Sequence, residues 1–120
     1  DSFEGVIQVI EDMSQEAKRQ NKKLFIILAP DEVQISSVIQ DYLKSQYLLD
    51  PLEHNFEQPQ AFLSEELANR GIPFLDLLPF FQKAKGNGDL YLQYNTHWND
   101  DGNRLAAEAI WHYINEKSLL

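Results

Sequence analysis

The sequence predicts an α/β fold, a three-layer sandwich in which helices cover both faces of a mainly parallel sheet. Two observations predict it. Amphipathic helical segments alternate along the chain with short apolar runs, the order typical of α/β layers. One of these runs, residues 24–29, is apolar throughout, as expected for a strand buried on both faces. The length of 120 residues and the hydrophobic content of 43% fit one globular domain, which we assign to residues 1–120.

The first half of the chain predicts three helices and one strand. Residues 3–20 carry apolar side chains at intervals of three and four, which predicts an amphipathic helix. The apolar run at 24–29 follows as a strand. Asp31 is a candidate cap for a second helix, and Pro59 suits the first turn of a third. The predicted apolar face of the second helix comprises Ile35, Val38, Ile39, Tyr42 and Leu43.

The next segment predicts a second strand and a short helix. Gly71 stands where a left-handed helix C-cap belongs, and residues 72–75 follow it as a strand. Residues 77–85 predict one or two helical turns. The Gly-Asn-Gly-Asp sequence at 86–89 is a strong turn signal.

The C-terminal segment predicts a third, very short strand at 90–93 and then a final helix. Asn99 or Asp100 is the expected cap of this helix. Trp98 and Trp111 are expected to pack in the core or at its edge. The predicted buried face of the helix comprises Leu105, Ala106, Ala109, Ile110, Tyr113 and Ile114.

Charge and composition exclude several classes of function. The chain has 19 acidic and 10 basic residues, a net charge of −9, which argues against binding to nucleic acid or to anionic membranes. The run at 24–29 is the longest apolar stretch and is far shorter than the ~20 residues of a membrane-spanning helix. The sequence has no cysteine, which excludes disulfides and thiolate metal sites. No glycine-rich phosphate loop or metal-ligand spacing is present, so we expect no cofactor.

One of the three histidines, His97, stands in a promising position. It follows a predicted strand and precedes the start of a helix. Ligands of open α/β sheets bind beyond the carboxyl ends of the strands, which is where such a loop lies. The polar residues Asn95, Thr96 and Asn99 and the aromatic Trp98 surround it in sequence. We therefore predict that the functional site lies in this loop.

Residues 90–99, Leu-Tyr-Leu-Gln-Tyr-Asn-Thr-His-Trp-Asn, followed by Gly102, resemble the last conserved block of the SGNH (GDSL-type) hydrolase superfamily. The similarity is to the branch with an Asp-x-His-Trp motif, which includes relatives that are polysaccharide O-acetyltransferases. The segments at 29–31 and 72–77 resemble two other parts of that fold. The resemblance implies a flavodoxin-like or SGNH-like sandwich. It covers most of this chain but only the C-terminal part of a complete family domain, so we expect an incomplete fragment.

The resemblance implies that His97 is the general base that accepts a proton from a serine hydroxyl. The family's orienting acid, two positions earlier, is replaced here by Asn95. An amide can hold the imidazole by a hydrogen bond but cannot stabilise the imidazolium by charge. Either another carboxylate substitutes, Asp100 or Asp89, or the site is impaired, and the sequence leaves both open.

Two further residues are candidates for supporting roles. Asp76 ends a predicted strand at the same edge as His97, and Trp98 is a candidate wall of the site. A metal site formed by His97, Asp76 and Asp100 has no supporting ligand spacing.

The serine nucleophile is expected to be absent. The opening Asp-Ser-Phe is a tempting match to the family's nucleophile block, but no strand precedes Ser2 to aim it, and we expect Ser2 to cap the first helix. The other serines are expected to be structural. On this interpretation the isolated chain does not hydrolyse esters.

The leading hypothesis is a fragment of an SGNH-type ester hydrolase or O-acyltransferase, with an acylated small molecule or carbohydrate as substrate. The alternative is a non-catalytic binding or interaction module that keeps the hydrolase-like fold, and a third reading makes the His-Trp loop purely structural. An exposed sheet edge predicts a homodimer. The resemblance implies an extracytoplasmic location, which the sequence itself does not specify.

Overall fold

The computed structural model describes residues 2–48, 50, 54–84, 89–93 and 95–119. Most of the turn predicted at 86–89 lies outside these residues. The elements are, in chain order, α1 (Ser2–Arg19), β1 (Ile26–Leu28), α2 (Glu32–Ile35), α3 (Ser37–Tyr47), α4 (Gln58–Asn69), β2 (Phe74–Asp76), α5 (Leu78–Ala84) and α6 (Asp100–Glu116). The alternation of helices with short strands confirms an α/β chain rich in helix.

The two strands form a small parallel sheet. Ile26 pairs with Phe74 and Leu28 pairs with Asp76, so the carboxyl ends of both strands meet at one edge. The predicted third strand at 90–93 is wrong. In that segment Tyr91 makes an isolated antiparallel bridge, because only one rung forms before the chain turns back. A three-layer sandwich on a larger sheet stays a prediction.

Apolar side chains pack on opposite faces of the sheet, since successive residues of a strand point to opposite sides. Phe74 packs against one cluster, and the next residue, Leu75, belongs to the other. The first cluster comprises the buried residues Leu28, Leu67 and Ile72. The second comprises Ile35, Leu75, Leu77, Leu78, Phe81, Tyr91, Ala106 and Ala109. This second cluster lies beneath the loop that carries the predicted site.

The helix predicted after Asp31 is divided in two. Asp31 caps α2 with a capping box, as its side chain accepts from the Val33 N–H and Gln34 reaches back to the Asp31 N–H. Ser36 then adopts an extended conformation and accepts a hydrogen bond from the Ile39 N–H, which ends α2 and starts α3. A serine hydroxyl competes in this way with the helical backbone pattern.

The predicted apolar face of this region is wrong at two positions of α3. Val38 is 77% exposed and Tyr42 is 60% exposed, whereas Ile39 and Leu43 are half-buried. Ile35, in α2, is the buried member of this face.

Several other local signals are confirmed. Pro59 lies in the first turn of α4, and Gly71 has a φ of +63°, the left-handed conformation expected of a C-terminal cap. The Ile72 N–H donates to the Leu67 carbonyl and leads the chain into β2.

The two tryptophans differ. Trp98 is half-buried and its ring lies 5.1 Å from that of Phe81. The expectation for Trp111 is wrong, because its side chain is 58% exposed on the outer face of α6.

β1 pairs with a strand on one side only within the described residues, and Ile27 at its centre is 39% exposed. The homodimer expected at this edge stays a prediction. No helix in the described part of the chain combines the length and apolar character needed to cross a bilayer.

The start of α6 approaches the 89–99 segment closely. Asn99 caps the helix by accepting from the Gly102 N–H at 3.0 Å, and the Asn99 N–H donates to the Leu90 carbonyl at 3.0 Å. A Cβ atom on Gly102 would lie well inside van der Waals distance of the Leu90 carbonyl oxygen and 3.0 Å from the Trp98 Cβ. Only a glycine therefore fits this contact.

We predict that Gly102→Ala lowers the free energy of unfolding by about 1–3 kcal/mol, because the added methyl group forces backbone apart. Gly5→Ala is the matched control, since a Cβ at this exposed helical position meets nothing within 4 Å. That change is expected to be neutral or to stabilise by up to about 1 kcal/mol. Thermal unfolding followed by circular dichroism measures both, and equal midpoints would contradict the close contact.

Candidate functional site

His97 lies in a loop closed by backbone hydrogen bonds. The Leu92 N–H donates to the His97 carbonyl at 2.9 Å, and the bridge between Tyr91 and Trp98 forms the next rung. The Asn95 N–H donates to the Leu92 carbonyl at 3.0 Å and tightens the turn. These bonds fix the backbone on both sides of the histidine, and its side chain is exposed.

Asn95 holds the imidazole of His97. Its Oδ1 atom accepts the His97 backbone N–H at 3.0 Å and also contacts the ring atom Nδ1. Because the backbone N–H is a donor, the amide must present its oxygen here rather than its NH₂ group. An oxygen facing Nδ1 in turn requires the proton on Nδ1. The second ring nitrogen, Nε2, is therefore the one that carries a lone pair.

The histidine lines a pocket at the carboxyl end of β1. The pocket has a volume of about 340 Å³, and Ala29 and Pro30, which follow β1 directly, form one side of it. The other lining residues are Thr96, His97, Trp98 and Asn103. This is the edge of a parallel sheet at which ligands bind. The structure thus brings the predicted residues His97 and Trp98 to the predicted edge.

A second pocket of about 390 Å³ adjoins the first, and Thr96 lines both. Its remaining lining residues are Glu32, Ser36, Val38, Ile39, Asp89, Tyr91, Gln93 and Asn95. Burial raises the pKa of Glu32 above its usual value, and the negative charges of Asp31 and Asp89 add to the effect. The region beside the loop is therefore acidic.

The two acids proposed as supporting residues do not line these pockets. Asp76 uses Oδ1 to accept the Leu78 N–H at 2.9 Å and the Gln60 Nε2–H at 3.3 Å, so it organises the start of α5. Asp100 is exposed in the first turn of α6. In the described part of the structure neither carboxylate contacts His97, whereas Asn95 does.

No described serine side chain lines the pocket of His97. Ser36 caps α3, and the Ser45 hydroxyl donates to the Tyr42 carbonyl within the same helix. Ser14 is buried in α1. Ser2 begins α1, and its side chain lies outside the described residues, so the expected capping role stays a prediction. Thr96 supplies the hydroxyl group in the lining.

The described residues contain no group of three or more histidine, aspartate or glutamate side chains that could hold a metal ion. The side chains that line the pocket of His97 include an imidazole, an amide and a hydroxyl group.

Sequence reasoning missed the link between this loop and β1. The Tyr91 side chain is buried, and its hydroxyl donates to the Pro30 carbonyl at 2.8 Å across 61 positions of sequence. Its ring packs against Phe81 with the centroids 6.0 Å apart. The only sequence signal was the apolar character of the segment, which we interpreted as a strand.

Burial raises the pKa of Tyr91 to about 12; a hydrogen bond with the Trp98 side chain opposes this rise, and the charges of Asp31 and Glu32 add to it. In the unfolded chain the phenol titrates near pH 10. Between about pH 10 and 12 the folded chain keeps a proton that the unfolded chain loses, so this group makes stability fall as the pH rises. Over this whole pH range the free energy of unfolding falls by roughly 2 to 3 kcal/mol through this group.

We predict that the stability advantage of the wild type over Tyr91→Phe narrows between pH 9 and pH 11.5. Urea unfolding of both chains at each pH measures it, and the other titrating groups cancel in the difference. An advantage that does not change with pH would contradict the burial of a neutral phenol.

No curated protein and no solved structure matches this chain. The family model described as "SGNH hydrolase-like domain, acetyltransferase AlgX" matches residues 2–120. The match spans both strands, the pocket at the end of β1 and the loop that holds His97 against Asn95. This chain belongs to the SGNH hydrolase-like family of the AlgX acetyltransferase type.

Proposed function

We propose that this chain supplies the catalytic base, His97, of an SGNH-type O-acyl esterase or O-acyltransferase. The observation that carries the proposal is the contact of Asn95 Oδ1 with His97 Nδ1, which sets the proton on Nδ1 and leaves the lone pair on Nε2. A general base needs such a free nitrogen within reach of the hydroxyl that it deprotonates.

Each half of the proposed reaction has two proton transfers. Nε2 accepts the proton of a serine hydroxyl while the serine oxygen attacks the acyl carbonyl and forms a tetrahedral intermediate. The imidazolium then returns the proton to the leaving alcohol oxygen as the ester bond breaks, which leaves an acyl-enzyme. Water or an acceptor hydroxyl takes the acyl group by the reverse sequence, again with His97 as the base.

Asn95 performs part of the role of the missing acid. It fixes the tautomer and the orientation of the ring, as the acid of a serine triad does. It carries no negative charge, so it stabilises the imidazolium less than a carboxylate would. We infer a working but slowed base. In a serine triad the change from acid to amide costs about 10⁴ in turnover through the wrong tautomer, and the contact of Asn95 Oδ1 with Nδ1 avoids that part of the loss.

The nucleophile is proposed to come from a segment other than the described residues, because no described serine lines the pocket. The pocket of about 340 Å³ is within the range that holds a small organic ligand, which suits an acylated small molecule or one acylated sugar unit. The isolated chain is accordingly proposed to be inactive.

We predict that His97→Ala lowers the turnover of p-nitrophenyl acetate by at least about 10²-fold in the full-length protein that contains this chain. Asn95→Asp is expected to raise it by less than about 10⁴-fold, because the carboxylate stabilises the imidazolium while the tautomer of the ring stays the same. His112→Ala is the matched control, an exposed histidine of α6 outside the pocket. Equal rates for the wild type and His97→Ala would eliminate the base role.

The tautomer can be measured on the chain itself. We predict that ¹⁵N NMR of the neutral His97 ring shows the proton on Nδ1, and that Asn95→Ala shifts the proton toward Nε2, because no oxygen then faces Nδ1 and the neutral ring of free histidine prefers the proton on Nε2. His54 is the internal reference, since its Nδ1 lies 3.1 Å from the Asp50 carbonyl, another oxygen acceptor. A proton on Nε2 in the wild type would contradict the proposal that His97 acts as a base through Nε2.

A second candidate function is a non-catalytic binding module with the same fold. It is favoured by the amide at position 95, where the family has an acid, and by the lack of a described serine in the pocket. In the experiment on the full-length protein this function predicts no turnover by the wild type, together with glycan-induced chemical-shift changes at Thr96 and His97. Turnover that depends on His97 would exclude it.

A further inference from the structure

The hydrogen bonds inside the His97 loop determine its shape but not its place relative to β1. The bonds from Leu92 to His97 and from Asn99 to Leu90 join residues of the same segment. At its other end the loop is tied to α6, where the Asn103 side chain donates to the Trp98 carbonyl at 3.3 Å. None of these bonds reaches the end of β1, so a hydrogen bond between the loop and that strand end comes from a separate contact.

The Tyr91 hydroxyl supplies that contact. It donates at 2.8 Å to the carbonyl of Pro30, and Pro30 itself lines the pocket that His97 lines. Tyr91 also pairs with Trp98, the immediate neighbour of His97. The hydrogen bond from Tyr91 to Pro30 therefore holds the bridge between Tyr91 and Trp98, which is one residue from His97.

Packing alone does not explain a tyrosine at this position. The side chain is 6% exposed and its ring packs on Phe81, a role that a phenylalanine would fill. Burying a hydroxyl without a partner is unfavourable, so the Tyr91 hydroxyl contributes through the hydrogen bond that it donates to the Pro30 carbonyl. The Pro30 carbonyl gains a donor in the same contact.

We propose that Tyr91 is a positioning residue for His97, which holds the imidazole at a fixed place beside the carboxyl end of β1 through its bond to Pro30. The inference rests on the proposed function, since the position of the ring matters to the extent that the ring is a base. Tyr91 itself is not proposed to touch the substrate.

The test is Tyr91→Phe in the full 120-residue chain, with backbone ¹⁵N relaxation as the readout. In the wild type the His97 amide is expected to have an order parameter of about 0.85, that of a rigid backbone, and in the variant a value below about 0.6. Tyr113→Phe is the matched control, because its ring packs on Phe25 and is remote in sequence from the loop. Measurement well below the unfolding midpoint separates loop order from global stability.

The Nδ1 proton of His97 is recorded in the same samples. It depends on Asn95 within the loop, so Tyr91→Phe is expected to leave it in place while the order parameter falls. Unchanged order at His97 in Tyr91→Phe overturns the positioning role and leaves the proposed base standing. A wild-type proton on Nε2 overturns both. If Tyr91→Phe does not fold, the same pair of measurements is made in the Gly5→Ala background.

Discussion

The arrangement of the site depends on the side chain of Asn99. Its Oδ1 atom accepts the Gly102 N–H and so begins α6, while its Nδ2 atom donates to the Asp89 carbonyl at 2.6 Å and lies 3.4 Å from the Tyr91 carbonyl. One amide thus satisfies the first turn of a helix and closes the loop that precedes it. Because the loop is anchored to a 17-residue helix as well as closed by its own hydrogen bonds, a short, exposed segment can keep a defined shape around His97.

The sequence predicts best where local chemistry decides the structure. The helical periodicity of 3–20, the capping role of Asp31 and the left-handed Gly71 are all confirmed, and each depends on groups within a few residues. Predictions that depended on contacts between residues distant in sequence were less accurate. The segment 90–93 has the composition of a strand, but a strand needs a neighbour along its length, and here the neighbour is a single rung at Trp98.

The same division applies to the site. The pairing of Asn95 with His97 could be expected from their spacing, because two residues in a tight turn reach each other without help from the rest of the fold. Spacing could not predict that Ala29 and Pro30 form a wall of the pocket or that Tyr91 bonds to Pro30. These contacts join parts of the chain about 60 residues apart. Asp76 illustrates the opposite case.

Asp76 lies at the correct edge of the sheet, as its position at the end of β2 predicts. Its carboxylate nevertheless turns to the Leu78 N–H, because the unpaired amides at the start of α5 compete for any nearby acceptor. The position of a residue in a fold is thus easier to predict than the direction of its side chain.

The amide at position 95 is best understood together with the charges around it. Glu32 and Asp89 line the same pocket as Asn95. Burial raises the pKa of Glu32, and the negative charges of Asp31 and Asp89 raise it further. A carboxylate at 95 would add another negative charge to this region, whereas an amide fixes the imidazole at no electrostatic cost. The amide at position 95 therefore places an oxygen against the His97 ring without adding charge to a region that already holds Asp31, Glu32 and Asp89.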